Sequence, residues 1–266
     1  NVSLWDDITV PGSWNIQGIQ KDGSLKYGVP IYVNQWVIFK YNIAVDDWRK
    51  GVMRVPPKDY TTYEYRNEVG SYKRNFNVPE NWDGREIFVS FDGVDSFFYL
   101  WINGKYVGFS KNSRDVARFD ITQFVHKGDN QIAVEVYRSS DASFLEAQDM
   151  FRLPGIIRSV AIYSTPKAHI QDMVVKPSYM DGNGALQIAT TIENLGKKAM
   201  KDCQIDYLLY ENKLYGDDNH LVTTWSADAS TSLKSGNSTT ISNHFTIPNI
   251  KSWTPEDPCV YVLVAL

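Results

Sequence analysis

A period of two runs through most of this chain, and that constrains its fold more than any other feature. Ile87, Val89 and Phe91 alternate with polar neighbours. So do Ile132, Val134 and Val136, then Leu186, Ile188, Thr190 and Ile192, then Ile205, Tyr207 and Leu209. Side chains that alternate in this way line opposite faces of a half-buried strand. Phe97 to Ile102 is apolar at every position, which predicts a central strand buried on both faces. Asn103-Gly104 follows at once. This is the strongest two-residue hairpin signal, because both turn positions need φ > 0, and it makes Lys105 to Phe109 the return strand. No segment carries an amphipathic helix of three turns, although Phe119 to Val125 can form a single turn. Many short strands punctuated by Gly, Asn and Pro predict an all-β sandwich protein.

One boundary breaks the pattern. A strand closes over Arg158 to Tyr163, Ser164-Thr165-Pro166-Lys167 interrupts it, and alternation restarts at Ile170. Two domains are therefore expected, 1–165 and 166–266. The second has the size of an immunoglobulin-like sandwich but lacks the paired Cys and core Trp of antibody domains. With 266 residues, each half can bury a core of its own. Val45 to Asn67, with Pro56-Pro57 and Tyr60, Tyr63 and Tyr65, is expected to be a long surface loop.

Composition removes several functional classes. A net charge of −4 argues against nucleic acid, which selects a basic surface. No apolar run reaches the ~18 residues of a membrane span. Cys203 and Cys259 are too few for a disulfide framework and too far apart in sequence for a zinc pair, and they leave the redox compartment open. His126, His169, His220 and His244 are scattered without ligand spacing. Neither a phosphate-binding glycine loop nor a Gly-x-Ser-x-Gly elbow is present. The chain opens on Asn1 rather than Met, as expected of a piece of something longer.

Chemistry concentrates in Ser139 to Arg152, where Asp141, Glu146 and Asp149 share a loop with Gln148, Arg152, Phe144 and Phe151. Carboxylates bind hydroxyl pairs or hard cations, and aromatic faces cover the C–H side of a sugar ring. The same composition also fits a solvated loop whose carboxylates pair with Arg138 and Arg152. Glu146 and Asp149 are spaced so that they could meet either glycosidase carboxylate distance, so spacing selects neither mechanism. Catalytic carboxylates more often come from separate rigid elements. Asn34, in Pro30-Ile31-Tyr32-Val33-Asn34-Gln35-Trp36, is either a turn residue or an amide aimed at sugar hydroxyls.

Read together, these stretches resemble the N-terminal part of the β-galactosidases of glycoside hydrolase family 2. The likeness is carried by Val10-Pro11-Gly12-Ser13-Trp14, Pro30 to Asn34 and Gly70-Ser71-Tyr72-Lys73-Arg74-Asn75-Phe76. It continues through Phe91-Asp92-Gly93-Val94-Asp95-Ser96, Trp101-Ile102-Asn103-Gly104 and, most specifically, Leu145-Glu146-Ala147-Gln148-Asp149-Met150-Phe151-Arg152. Trp253-Thr254-Pro255-Glu256-Asp257-Pro258 resembles the close of the family's first immunoglobulin-like domain.

The resemblance implies a jelly-roll (galactose-binding-like) β-sandwich followed by an immunoglobulin-like one, with a TIM barrel beyond them that holds the catalytic glutamates. It implies no catalytic residue in this chain and no glycosidase activity from it alone. Asn34 and Asp149 would contact galactose. Asp149 would also ligate sodium, and magnesium would bind elsewhere in the full-length enzyme. The implied partners are a β-galactoside, the barrel and, through other domains, further copies in a homo-oligomer. Ala147 and Phe151 stand where the family motif has Asp and Trp. The competing expectations are a free-standing carbohydrate-binding module, or part of a β-glucuronidase or β-mannosidase of the same family.

Overall fold

A computed structural model describes residues 2–28, 30, 67–146, 150–212, 219–229 and 232–266. Strands dominate it. Among the described residues the α-helices are single turns, Trp14–Gln17 and Ser143–Glu146. The chain divides into two compact units, Asn1–Ser164 and Thr165–Leu266.

In the first unit a four-stranded antiparallel sheet runs in the order Val69–Val78, Gly128–Tyr137, Phe97–Ile102, Lys105–Ser110. Facing its inner side is a three-stranded sheet of Val160–Thr165, Glu86–Phe91 and Ala117–Asp120. Val89, Phe91, Phe98, Leu100, Ile102, Ile121 and Val136 are buried between them. Phe91 and Phe98 pack with ring centroids 4.7 Å apart, and Phe119 meets both edge-on. The alternating apolar positions thus all turn inward, as period two requires.

The strand Phe97–Ile102 differs from its sequence expectation. Only Phe98, Leu100 and Ile102 are buried, whereas Phe97, Tyr99 and Trp101 stay partly exposed on the opposite face. A six-residue apolar run looks the same whether its second face is covered or not, so sequence alone could not separate the two cases. The Asn103-Gly104 turn forms as expected, with φ of 51° and 75°. Asn103 also ties the turn to the rest of the sandwich. Its amide donates to the Phe124 carbonyl (3.0 Å) and Asn130 Oδ1 (2.8 Å), and its Oδ1 accepts from the Gln131 N–H. Gly70 explains part of the Gly-Ser-Tyr stretch. A Cβ there would lie 2.6 Å from the Trp14 ring, so glycine lets this buried indole lie against Val69–Val78.

The second unit packs two three-stranded antiparallel sheets. Ala168–Met180, Asn183–Asn194 and Asn237–Ile247 form one; Asn219–Ala229, Cys203–Asn212 and Val260–Ala265 form the other. Leu186, Ile188, Ile192, Ile205, Tyr207, Leu209 and Ile247 fill the core. Its buried polar residues, Thr190 and Asn194, are neutral and hydrogen-bonded. Tyr207 and Thr190 share a 2.6 Å hydroxyl contact, and Asn194 donates to the carbonyls of Lys198 and Leu233. Cys203 and Cys259 are free thiols.

Candidate functional site

Where the strand Gly128–Tyr137 ends, the chain enters the carboxylate-rich loop. Asn67 and Ser139 fix this exit reciprocally: the Asn67 amide donates to the Ser139 carbonyl, and the Ser139 N–H donates to Asn67 Oδ1, both at 2.9 Å. Next to them the buried Arg138 guanidinium meets Glu68 at 2.6 Å. Ser143 caps the turn at Ser140 by accepting its N–H through the side-chain hydroxyl (3.0 Å). Ser143–Glu146 then forms one helical turn.

Glu146 closes that turn against the opposing loop. Its Oε1 accepts the Ser113 N–H at 3.0 Å, and its Oε2 accepts the Ser113 hydroxyl at 2.5 Å. Both oxygens are engaged by one buried residue, as expected of a structural latch and not of a free general acid. Ser113 is followed by Arg114, which meets Asp95 at 3.4 Å. Burial pushes the Asp95 carboxyl up to about 6, and Glu146 adds to the shift while Arg114 and Arg152 oppose it. Arg152 is itself pushed down, first by burial and then by Arg138. Asp95, Arg114, Arg138, Glu146 and Arg152 line a cavity of about 20 Å³, room for roughly one water molecule. A carboxylate near neutral pKa among arginines, in a depression beside a polar loop, is a functional-site signature.

Asn34 and Asp149, the two residues singled out from sequence for sugar contact, lie outside the described residues, as do Ala147, Gln148 and most of the stretch from Val45 to Asn67. The described groups frame Asp149 from both sides in the chain. Glu146 is latched before it, and Met150 and Phe151 are exposed after it. Asp141 pairs with Lys111 at 2.7 Å, Arg138 pairs with Glu68, and Glu146 bonds Ser113. Sequence reading missed Asp95, Ser113, Arg114 and Glu68. Asp95 offered a signal, a carboxylate directly before an unbroken apolar strand. Ser113 offered none, because its partner is 33 residues away.

Two antiparallel sandwiches in series, the first carrying this charged depression, define a tandem β-sandwich protein. Residues 2–166 match the sugar binding domain of the glycosyl hydrolases family 2, and residues 168–265 match a second description of the same family. The chain belongs to glycosyl hydrolase family 2. It is 37% identical over 263 residues to the β-galactosidase of Priestia megaterium, which covers 98% of this chain and 23% of that protein. It is 35% identical over 262 residues to the β-galactosidase of Halalkalibacterium halodurans, covering 97% of this chain and 22% of that one. The chain therefore spans about a quarter of the length of these relatives. Among solved structures, a β-glucuronidase of Bacteroides uniformis superposes with a TM-score of 0.71 at 20% identity, covering all of this chain and 27% of that one. At that identity the likeness shows the fold.

Proposed function

We propose that the chain is the N-terminal, non-catalytic part of a retaining β-galactosidase, supplying scaffold and one wall of the galactose pocket. One observation carries this reading, the 37% identity to a β-galactosidase along nearly the whole chain. The likeness to β-glucuronidases rests on fold at 20% identity and does not extend to substrate.

In this reading Asp149 binds a galactose hydroxyl and Asn34 contacts the same sugar. The described residues supply the support. The Ser113–Glu146 latch and the Asn67–Ser139 pair anchor the stretch of chain that leads to Asp149. Among the described residues no three His, Cys, Asp or Glu side chains gather. A sodium ion at Asp149, a hard cation that takes carbonyl as well as carboxylate oxygens, would neutralise carboxylate charge and orient a hydroxyl. Magnesium belongs to the rest of the enzyme. Bond cleavage falls to carboxylates outside this chain.

The test is an assay of the full-length protein on nitrophenyl β-galactoside, β-glucuronide and β-mannoside. Turnover is expected on the galactoside, and preference for the glucuronide would overturn the substrate assignment. In that protein Asp149→Asn should lower kcat/KM by about 100-fold or more, as removal of a transition-state contact does. Asp141→Asn, whose exposed partner is Lys111, should stay near wild type. Equal effects would misplace the sugar contact.

A further inference from the structure

Glu146 is gripped by a loop that is itself braced. Within that loop the Asn112 amide donates to Asp115 Oδ2 at 2.5 Å, and the Arg114 N–H donates to Asn112 Oδ1 at 3.3 Å. Arg158 ties the loop to the turn after Glu86–Phe91, its guanidinium donating to the carbonyls of Arg114 (2.8 Å) and Asp92 (3.4 Å). Gly93 makes room for this crossing. A Cβ there would lie 3.1 Å from the Ser113 carbonyl oxygen and 3.0 Å from Arg158 Cδ. From this braced position Ser113, only 1% exposed, presents its N–H and its hydroxyl to the two Glu146 oxygens.

The chain is pinned again beyond Arg152. The Pro154 carbonyl accepts the Trp14 N–H at 3.3 Å, and Gly155 pairs with both Ser13 and Asp95 in a small antiparallel sheet. A Cβ at Gly155 would lie 2.6 Å from the Gly12 carbonyl oxygen, so glycine is what lets these segments close on each other. The downstream pin is thus made of backbone and built into a sheet. The upstream pin is a side-chain contact, Ser113 with Glu146. Residues 147–153 lie between the two pins in sequence, and Asp149 is among them.

Releasing the upstream pin would lengthen the unanchored chain back toward Ser143. Each residue set free gains conformational entropy that a bound sugar must remove again. We propose that Ser113 is a positioning residue for the sugar site: through Glu146 it orders the chain that carries Asp149 before the sugar arrives. This rests on the reading above that Asp149 contacts galactose. Glu146 serves here as a pair of hydrogen-bond acceptors, and its charge takes no part in the reaction. The bound ground state and the transition state need the same ordering. Losing the latch therefore weakens binding of both alike, which raises KM and leaves kcat.

The test uses the full-length protein, with kinetics on nitrophenyl β-galactoside and calorimetry with a thiogalactoside that is not cleaved. Ser113→Ala removes the hydroxyl bond and should raise both KM and the thiogalactoside Kd about tenfold, with kcat within about threefold of wild type. Glu146→Ala should do the same, and the double variant should bind no more weakly than either single one, because both remove one contact. Glu146→Gln can keep both bonds, its carbonyl oxygen accepting the Ser113 N–H and its amide donating to the Ser113 hydroxyl. It should hold KM within about threefold of wild type and leave the pH profile in place. An unchanged Kd in Ser113→Ala, with or without a lower Tm, would overturn the proposal, as would effects that multiply in the double variant. So would a loss in Glu146→Gln as large as that in Glu146→Ala, which would show that the charge is used. If Asp149→Asn lowers kcat/KM as expected while Ser113→Ala binds like wild type, this inference fails alone. If Asp149→Asn is neutral, the reading of the sugar contact fails whatever the latch variants do.

Discussion

The two sandwiches bury polar groups of different kinds. In Thr165–Leu266 the polar core is neutral: Tyr207, Thr190 and Asn243 share hydroxyl and amide contacts, and Asn194 satisfies backbone carbonyls. In Asn1–Ser164 Arg138 is buried, and Asp95 and Arg152 are partly buried beside it. Neutral hydrogen bonds stabilise modestly and specify register. Buried charges cost desolvation that a hydrophobic replacement would avoid, and packing gives no reason to keep them. The first sandwich concentrates that cost at one loop end, which is where a binding surface would be expected. The comparison locates function by asking where burial works against stability.

Removing one partner of the buried pair should show the largest effect. Arg138 is almost inaccessible and lies 2.6 Å from Glu68. Arg138→Ala leaves a cavity and removes the partner of a Glu68 carboxylate that is one-third exposed, and should destabilise the first unit by about 3 kcal/mol. Arg138→Met, which refills the volume, should cost less. Urea denaturation followed by amide exchange in Ile132 to Val136 reads the first unit separately. A loss below about 1 kcal/mol would mean that the pair is effectively solvated and the contrast between the sandwiches is weaker than its burial suggests.

Asp95 gives the next effect, through pH. Its carboxyl is raised to about 6 in the folded state against 3.8 for the free residue, chiefly by burial. Between these values the folded protein holds a proton that the unfolded chain has released. Stability of the first unit should therefore fall as pH rises from about 4 to 6 and stay at the lower level above it, a total on the order of 2–3 kcal/mol. Asp95→Asn should flatten this slope and raise the Tm at pH 7. A slope of the opposite sign in the wild type would show that Arg114 and Arg152 outweigh burial. The second unit, with its neutral buried network, should show no such step from a buried carboxylate.

Much of this architecture was legible because a strand's period is local. Ile87 to Phe91, Leu186 to Ile192 and Ile205 to Leu209 alternate, and each sits in a strand with those positions inward. Asn103-Gly104 specified its turn by backbone chemistry alone. The charged depression was legible only as a loop rich in carboxylates. Which side chains meet there depends on pairings across 19 to 70 residues, Arg114 with Asp95, Glu146 with Ser113 and Arg138 with Glu68, and no periodicity encodes them. The open face of Phe97–Ile102 was hidden for a further reason, since residue type reports that a face is apolar but not what covers it.

The smallest effect tests the neutral side of the comparison. Tyr207 and Thr190 are fully buried and 2.6 Å apart at their hydroxyls, and Asn243 donates to the tyrosine oxygen at 3.3 Å. Tyr207→Phe removes one hydroxyl and leaves Thr190 without this partner, costing about 1–2 kcal/mol. Thr190→Val should cost a similar amount. The double variant should lose less than the sum, by about 0.5–1 kcal/mol, because it leaves no buried hydroxyl stranded between them. Chemical denaturation of the four proteins closes the cycle. Strict additivity would mean that the two hydroxyls find other partners when separated. The second sandwich would then tolerate unpaired polar groups as the first tolerates charge, and the contrast between the two would no longer point to the site.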